Sequence, residues 1–211
     1  TDLNTGKSLI LAGLFEGKPF NSPNDIAIDA KGRIYFSDPR YLGHESIDQP
    51  VMAVYRLDPD GKLQRIVTDA NKPNGVAISP DQKTLYVVTN DDGHLGFDRM
   101  PKGTPARKGR MELSAYDLHS DGTATYRKRL VNYAPEDGPD GLVCDSKGNL
   151  FVAVRDEKRF GIIVYSPDGA ELDYLPTPER PTNVGFDRGT EATTLYITAG
   201  GSVYRIKTSR P

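Results

Sequence analysis

The sequence predicts an all-β protein built as a propeller from repeats of one four-stranded unit. Three observations carry that reading. A short phrase recurs as Pro23-Asn24-Asp25-Ile26-Ala27-Ile28-Asp29, Pro73-Asn74-Gly75-Val76-Ala77-Ile78-Ser79, Pro139-Asp140-Gly141-Leu142-Val143-Cys144-Asp145 and Pro181-Thr182-Asn183-Val184-Gly185-Phe186-Asp187. Each phrase sets a small polar residue or a carboxylate before a short apolar strand, and a turn and a second strand follow. Composition agrees, because 21 Gly and 16 Pro beside 36% hydrophobic residues fit many short strands joined by tight turns. A parallel β-helix has a much shorter period, and an immunoglobulin-like sandwich does not repeat internally.

The elements follow in order. Residues Thr1–Phe20 do not start a unit: Asp2–Lys7 reads as the end of a third strand with its turn, and Ser8–Leu14 as a fourth strand. The first full unit runs through Asp25–Asp29, the turn Ala30-Lys31-Gly32, Arg33–Asp38, a loop, Ala53–Leu57, the turn Asp58–Gly61 and Leu63–Thr68. Its strands are β-branched and aromatic, and its glycines tolerate positive φ. Later units supply second strands at Thr84–Thr89, Leu150–Val154 and Thr194–Thr198, and third strands at Ser114–Leu118, Ile162–Ser166 and Ser202–Ile206. The turns Asp121-Gly122 and Asp168-Gly169 repeat Asp60-Gly61. Positions 24, 74, 140 and 183 are separated by 50, 66 and 43 residues, and the long interval holds an insertion, Asp91–Arg110, read as a loop on the open face of its blade. Ser202–Ile206 is a third strand without a fourth. One propeller domain over residues 1–211 is expected, holding about four blades plus fragments, with an N-terminal blade and a half outside the sequence, since propellers need closure.

Bulk properties exclude several classes. A net charge of −2 with scattered basic residues gives no nucleic-acid footprint. No apolar run reaches the ~18 residues of a membrane-spanning helix, and nothing indicates an obligate protein partner or fixes a compartment. Cys144 is the only cysteine, so no internal disulfide forms, and its apolar strand position reads as core packing. There is no Gly-x-Ser-x-Gly elbow. Of the three histidines, His119 reads as a surface residue, while His44 and His94 fall in loops that a propeller can aim at its channel mouth. Asp38, at the end of a second strand, reads as either a channel-mouth or a turn residue. Gly6-Lys7-Ser8 lacks the first glycine of a phosphate-binding loop, and Asp58-Pro59-Asp60-Gly61 lacks the remaining ligands of an EF-hand.

At its repeats the sequence resembles the gluconolactonase/senescence marker protein (regucalcin) family of lactonases. The phrases that carry the resemblance are Asn21-Ser22-Pro23-Asn24-Asp25, Pro73-Asn74-Gly75, Gly138-Pro139-Asp140-Gly141 and Arg180-Pro181-Thr182-Asn183, supported by Gly32–Asp38 and Thr84–Val87. The resemblance implies a six-bladed propeller with one divalent metal in its central channel. The metal is then held by a glutamate of the first blade, which has no match here, by an asparagine matched by Asn74, and by an aspartate matched by Asp140. Asn24 matches an asparagine that contacts substrate or metal-bound water. Ser22 stands where some members carry a substrate-binding arginine.

The implied chemistry is coherent. One carboxylate with amide carbonyls suits a hard ion, so Ca²⁺ is the expected metal, with Mg²⁺, Zn²⁺ and Mn²⁺ as alternatives. A metal polarises a lactone carbonyl, and Asp140 serves as catalytic base toward water. Asn24 and Asn183 are the candidate substrate-binding residues, although Asn183 can equally just terminate its strand. Any one phrase alone is explained by turn chemistry or an Asx cap. The expected activity is opening of a sugar lactone. The alternatives are a propeller that binds small molecules without turnover, or a metal-dependent esterase or phosphotriesterase on the same site.

Overall fold

The structure, a computed structural model, describes residues 1–41, 46–93, 108–189 and 192–208. It is all-β, with four successive antiparallel sheets arranged as propeller blades. Blade 1 comprises β3 (Ile26–Ile28), β4 (Ile34–Asp38), β5 (Ala53–Leu57) and β6 (Leu63–Val67), paired in that order. Blade 2 comprises β7 (Pro73–Ile78), β8 (Thr84–Asn90), β9 (Met111–Leu118) and β10 (Ala124–Asn132). Blade 3 comprises β11 (Pro139–Cys144), β12 (Leu150–Val154), β13 (Gly161–Tyr165) and β14 (Glu171–Pro176). Blade 4 has three strands, β15 (Pro181–Phe186), β16 (Thr194–Ala199) and β17 (Ser202–Lys207). The strands predicted for the four units are all present, with ends shifted by a few residues.

The core lies between blades, and strand alternation explains it. Successive side chains of a strand point to opposite faces of the sheet. Along β8, Leu85 and Val87 join Tyr35 and Val54 of blade 1, while Tyr86 and Val88 join Leu142, Leu150 and Val152 of blade 3. Along β12, Leu150, Val152 and Val154 face blade 2, while Phe151 and Ala153 meet Val184, Leu195 and Ile197 of blade 4. β12 is buried on both faces and apolar at every position, which is why Leu150–Val154 reads as an unbroken hydrophobic run. On the two end blades, Ile26, Ile28, Val203 and Ile206 are exposed.

The N-terminal segment departs from expectation. Asp2–Lys7 does form a turn, closed by hydrogen bonds between Asp2 and both Gly6 and Lys7, but no strand flanks it. Ser8–Leu14 is not a fourth strand. Leu9, Ile10 and Leu11 are exposed, and a small hairpin follows, β1 (Leu14–Phe15) with β2 (Lys18–Pro19). Its two-residue loop, Glu16-Gly17, has both φ angles positive, at 50° and 76°, the condition for a tight turn matched to strand twist. The apolar run of residues 9–11 finds no strand beside it, so hydrophobicity alone misplaces it. In the Asp91–Arg110 insertion, Asp91 and Arg110 close the base through Asp91 N–H to the Arg110 carbonyl at 3.0 Å. Residues 94–107, with His94, lie outside the described residues, as does His44.

Candidate active site

Three of the recurrent phrases open the innermost strand of their blade with an irregular backbone, while the first phrase leads into β3, whose pairing with β4 is regular. In blade 3 Pro139 pairs with Val154 but Leu142 pairs with Val152, so one residue is extra on β11. The same shift separates Pro73 from Val76 in β7 and Pro181 from Asn183 in β15. A bulge re-aims the side chains beside it. The four inner strands β3, β7, β11 and β15 line a channel of about 590 Å³, and of the polar residues of the phrases Asp25 and Asn183 face it.

The glycines of the phrases bring the blades into contact. A Cβ on Gly75 would lie 2.5 Å from the Asp140 carbonyl oxygen and 3.1 Å from the Gly141 Cα. Gly141 in turn packs on the Asn183 side chain. The first phrase carries Asp25 at that position. Its Oδ2 accepts the Val76 N–H at 2.9 Å, so a charged hydrogen bond links blades 1 and 2. In the fourth phrase, counting from Pro181, Thr182 stands where Asn74 and Asp140 stand. Thr182 bonds to the Thr198 hydroxyl at 2.8 Å, and Asn183 occupies the position of Gly75 and Gly141.

The predicted residues are partly brought together. Asn74 is 5% exposed, and its amide hydrogen-bonds to the Asp140 carboxylate. Its Oδ1 is buried without a hydrogen-bond partner. Asp140 is partly buried, with its side chain 23% exposed, and pairs with Arg155, Nη1 to Oδ2, at 3.3 Å. Burial pushes its carboxyl above the usual carboxylate range. Arg155 and Asn74 oppose that shift, and the nearby Asp25 charge reinforces it. Asp25 is likewise raised, mainly by burial, against hydrogen bonds from Val76, Ile26 and the Asn183 side chain. Asn183 thus reaches the site through Asp25, while its Oδ1 accepts its own neighbour's N–H, Val184, at 2.8 Å. Asn24 is not drawn into this cluster: it is exposed, its N–H donates to the Ser37 carbonyl at 2.9 Å, and it lines an apolar recess with Ile10, Leu11 and Phe20.

Other expectations resolve plainly. Asp38 is fully buried and accepts the N–H groups of Asn21 and Ser22 at 2.9 and 2.7 Å, so it anchors a loop. Cys144 packs against the core between blades 2 and 3, and burial pushes its thiol up to about 12. His119 is exposed and bonds to the Thr125 hydroxyl. Sequence reasoning missed Asp25, Arg155 and Tyr41. Tyr41 donates to the Asn90 carbonyl at 3.0 Å, and the Lys72 ammonium lies 4.3 Å from its ring centre. Its hydroxyl is pushed far up by burial and by the charges of Asp140, Asp92 and Asp91. One signal was available for Arg155: it directly follows the second strand, whose end pairs with the start of the phrase.

The donor set fits a hard cation. The unpaired buried Asn74 oxygen and the adjacent Asp140 carboxylate are oxygen ligands of the type such ions take. Among the described residues no group of three or more His, Cys, Asp or Glu gathers that could hold a metal ion, so the Asn74 oxygen and the Asp140 carboxylate are a partial ligand set.

Comparison with known proteins places the chain in a family. Residues 1–201 match the profile of the SMP-30/gluconolactonase/LRE-like region. A gluconolactonase of Zymomonas mobilis is 33% identical over 97% of this chain and 55% of that protein, so the chain spans about half of that relative. The solved structure of a gluconolactonase from Xanthomonas campestris superposes with a TM-score of 0.77 at 31% identity, over 98% of this chain and 63% of that one. The calcium-binding protein regucalcin from Agrobacterium tumefaciens shares the fold at 21% identity, with a TM-score of 0.61 over 83% of this chain and 52% of that one.

Proposed function

The chain belongs to the SMP-30/gluconolactonase/LRE-like family, and we propose that it acts as a lactonase that opens a sugar lactone at Asn74 and Asp140. The observation that carries the reading is the juxtaposition of a partly buried carboxylate, Asp140, with a buried and unpartnered amide oxygen on Asn74. Asn74 and Asp140 would hold a divalent cation, Ca²⁺ by the hardness of the donors, which when bound polarises the ester carbonyl.

The residues of the chain do the rest. Asp140 accepts a proton from a water molecule as the water oxygen bonds to the carbonyl carbon. The bond from that carbon to the ring oxygen then breaks, and the proton passes to the ring oxygen, which leaves as a hydroxyl. The product is a hydroxy acid, which ionises and releases one proton to solvent. Asn183 hydrogen-bonds to Asp25 beside Gly141 and is the candidate contact for a substrate hydroxyl. Asn24, outside the cluster, is at most a contact at the rim.

The test is a panel of neutral sugar lactones, simple esters and phosphotriesters, followed by proton release in weak buffer with Ca²⁺ present. Faster acid release from lactones than from the other two classes supports the reading. Turnover confined to phosphotriesters or esters replaces it with the esterase reading, and saturable lactone binding without turnover replaces it with a binding propeller.

A further inference from the structure

Arg155 is placed by the register of blade 3. It follows β12 directly, and Val154 at the strand end pairs with Pro139, so the guanidinium falls beside Asp140. Its Nη1 makes two contacts, 3.3 Å to Asp140 Oδ2 and 3.3 Å to the Pro181 carbonyl of blade 4. Both are long and both use the same nitrogen. Among the described residues no hydrogen bond is made by its Nε–H or Nη2, and its side chain is 30% exposed. A structural arginine in this protein looks different: the Arg56 side chain is 3% exposed, with Nη1 on the Asp121 carbonyl and Nη2 on Asp58 at 2.8 Å.

The edge of a guanidinium formed by Nε and Nη2 is a planar pair of donors matched to a carboxylate. Ring opening creates one. A neutral lactone enters, and an anion must be held and released next to Asp25 and Asp140, two acids that repel it. We propose that Arg155 is a substrate-binding and specificity-determining residue whose Nε and Nη2 take the carboxylate of the ring-opened hydroxy acid, while Nη1 stays on Asp140 and Pro181. The inference rests on the lactonase reading and adds the residue that handles its product. It makes the open-chain acid an inhibitor and makes Arg155 the source of that inhibition.

The experiment measures inhibition of lactone hydrolysis by gluconate and by the uncharged alditol of the same length, in the protein and in Arg155→Gln and Arg155→Lys. The expected result is gluconate inhibition weakened about tenfold or more in Arg155→Gln, partly kept in Arg155→Lys, with alditol inhibition unchanged. Equal weakening of both inhibitors would reduce Arg155 to a structural role. Unchanged gluconate inhibition, or no gluconate inhibition of an active unsubstituted protein, would overturn the assignment and leave the lactonase reading standing. Should Arg155→Gln fail to fold, the gluconate-to-alditol ratio in Arg155→Lys decides, because only the lost planar fork lowers it. Absence of any lactone turnover by the unsubstituted protein would overturn the lactonase reading and this one with it.

Discussion

Asn74 carries a buried side-chain oxygen with no hydrogen-bond partner, and a buried polar atom left unpaired costs about 1–3 kcal/mol. Such a cost persists where a ligand relieves it. Asn74→Ala is therefore expected to bind Ca²⁺ far more weakly. Added Ca²⁺ should raise the melting temperature of the unsubstituted protein and leave that of Asn74→Ala unmoved. An equal rise in both would remove Asn74 from the ion site. At this scale the sequence was legible where a residue sat in the repeated phrase, as Asn74 and Asp140 do. It was not legible for Asp25, which stands where two other phrases have glycine, or for Arg155, whose place in blade 2 is held by Asn90. Asn183 stands one position after the place of Asn74 and Asp140: Thr182 holds the equivalent place after its proline, and the pairing of Pro181 with Ala199 agrees with that count.

At the scale of the element, the turns and glycines do the positioning. Asp29 accepts the N–H groups of Lys31 and Arg33 at 2.9 Å each and pairs with the Arg33 guanidinium at 2.5 Å, closing the β3–β4 turn. Asp145 closes the β11–β12 turn the same way on Lys147 and Asn149. Burial raises the Asp29 carboxyl, but the Arg33 and Lys31 hydrogen bonds and the Arg33 charge outweigh it, and the net shift is downward. A carboxyl held low in the folded state stabilises the fold above its ordinary range, and that stabilisation is lost as pH falls through the folded value. Asp29→Asn should thus lower stability at pH 7 by about 1 kcal/mol, with the gap to the unsubstituted protein closing in acid. A gap independent of pH in urea titrations would contradict this. Gly75→Ala has a different consequence. Its Cβ would meet backbone of the next blade, so β11 must move at Asp140, at a cost of about 1–3 kcal/mol. Both stability and lactone turnover should fall, and a variant that melts normally and turns over normally would show that the blades do not need this approach. Strand identity was legible at this scale because alternation and apolar runs report burial on one face or two. The N-terminal hairpin was not, since a two-residue turn with positive φ outweighed the apolar run before it.

At the scale of the molecule, three apolar layers between blades fix the angle at which the inner strands converge, and convergence turns a repeated phrase into a site. Repetition made the propeller legible before any coordinate, and it also made the site's location legible, since equivalent strand ends must share one end of the axis. The composition of the site came only from the structure, because Arg155 just after β12, Tyr41 in the loop after β4 and Asp25 of the first phrase meet there without any common sequence pattern. A single domain is expected to melt as one unit on this packing, each blade sharing a core layer with its neighbour.

The central claim is that Asp140, set beside Asn74 by this convergence, opens a lactone. The direct measurement is proton release from glucono-δ-lactone by the protein and by Asp140→Asn, each with Ca²⁺ and after chelation, corrected for spontaneous hydrolysis. The account predicts turnover by the unsubstituted protein with the ion, loss on chelation, and a fall of about 10²-fold or more in a normally folded Asp140→Asn. Undiminished turnover in that variant would contradict it.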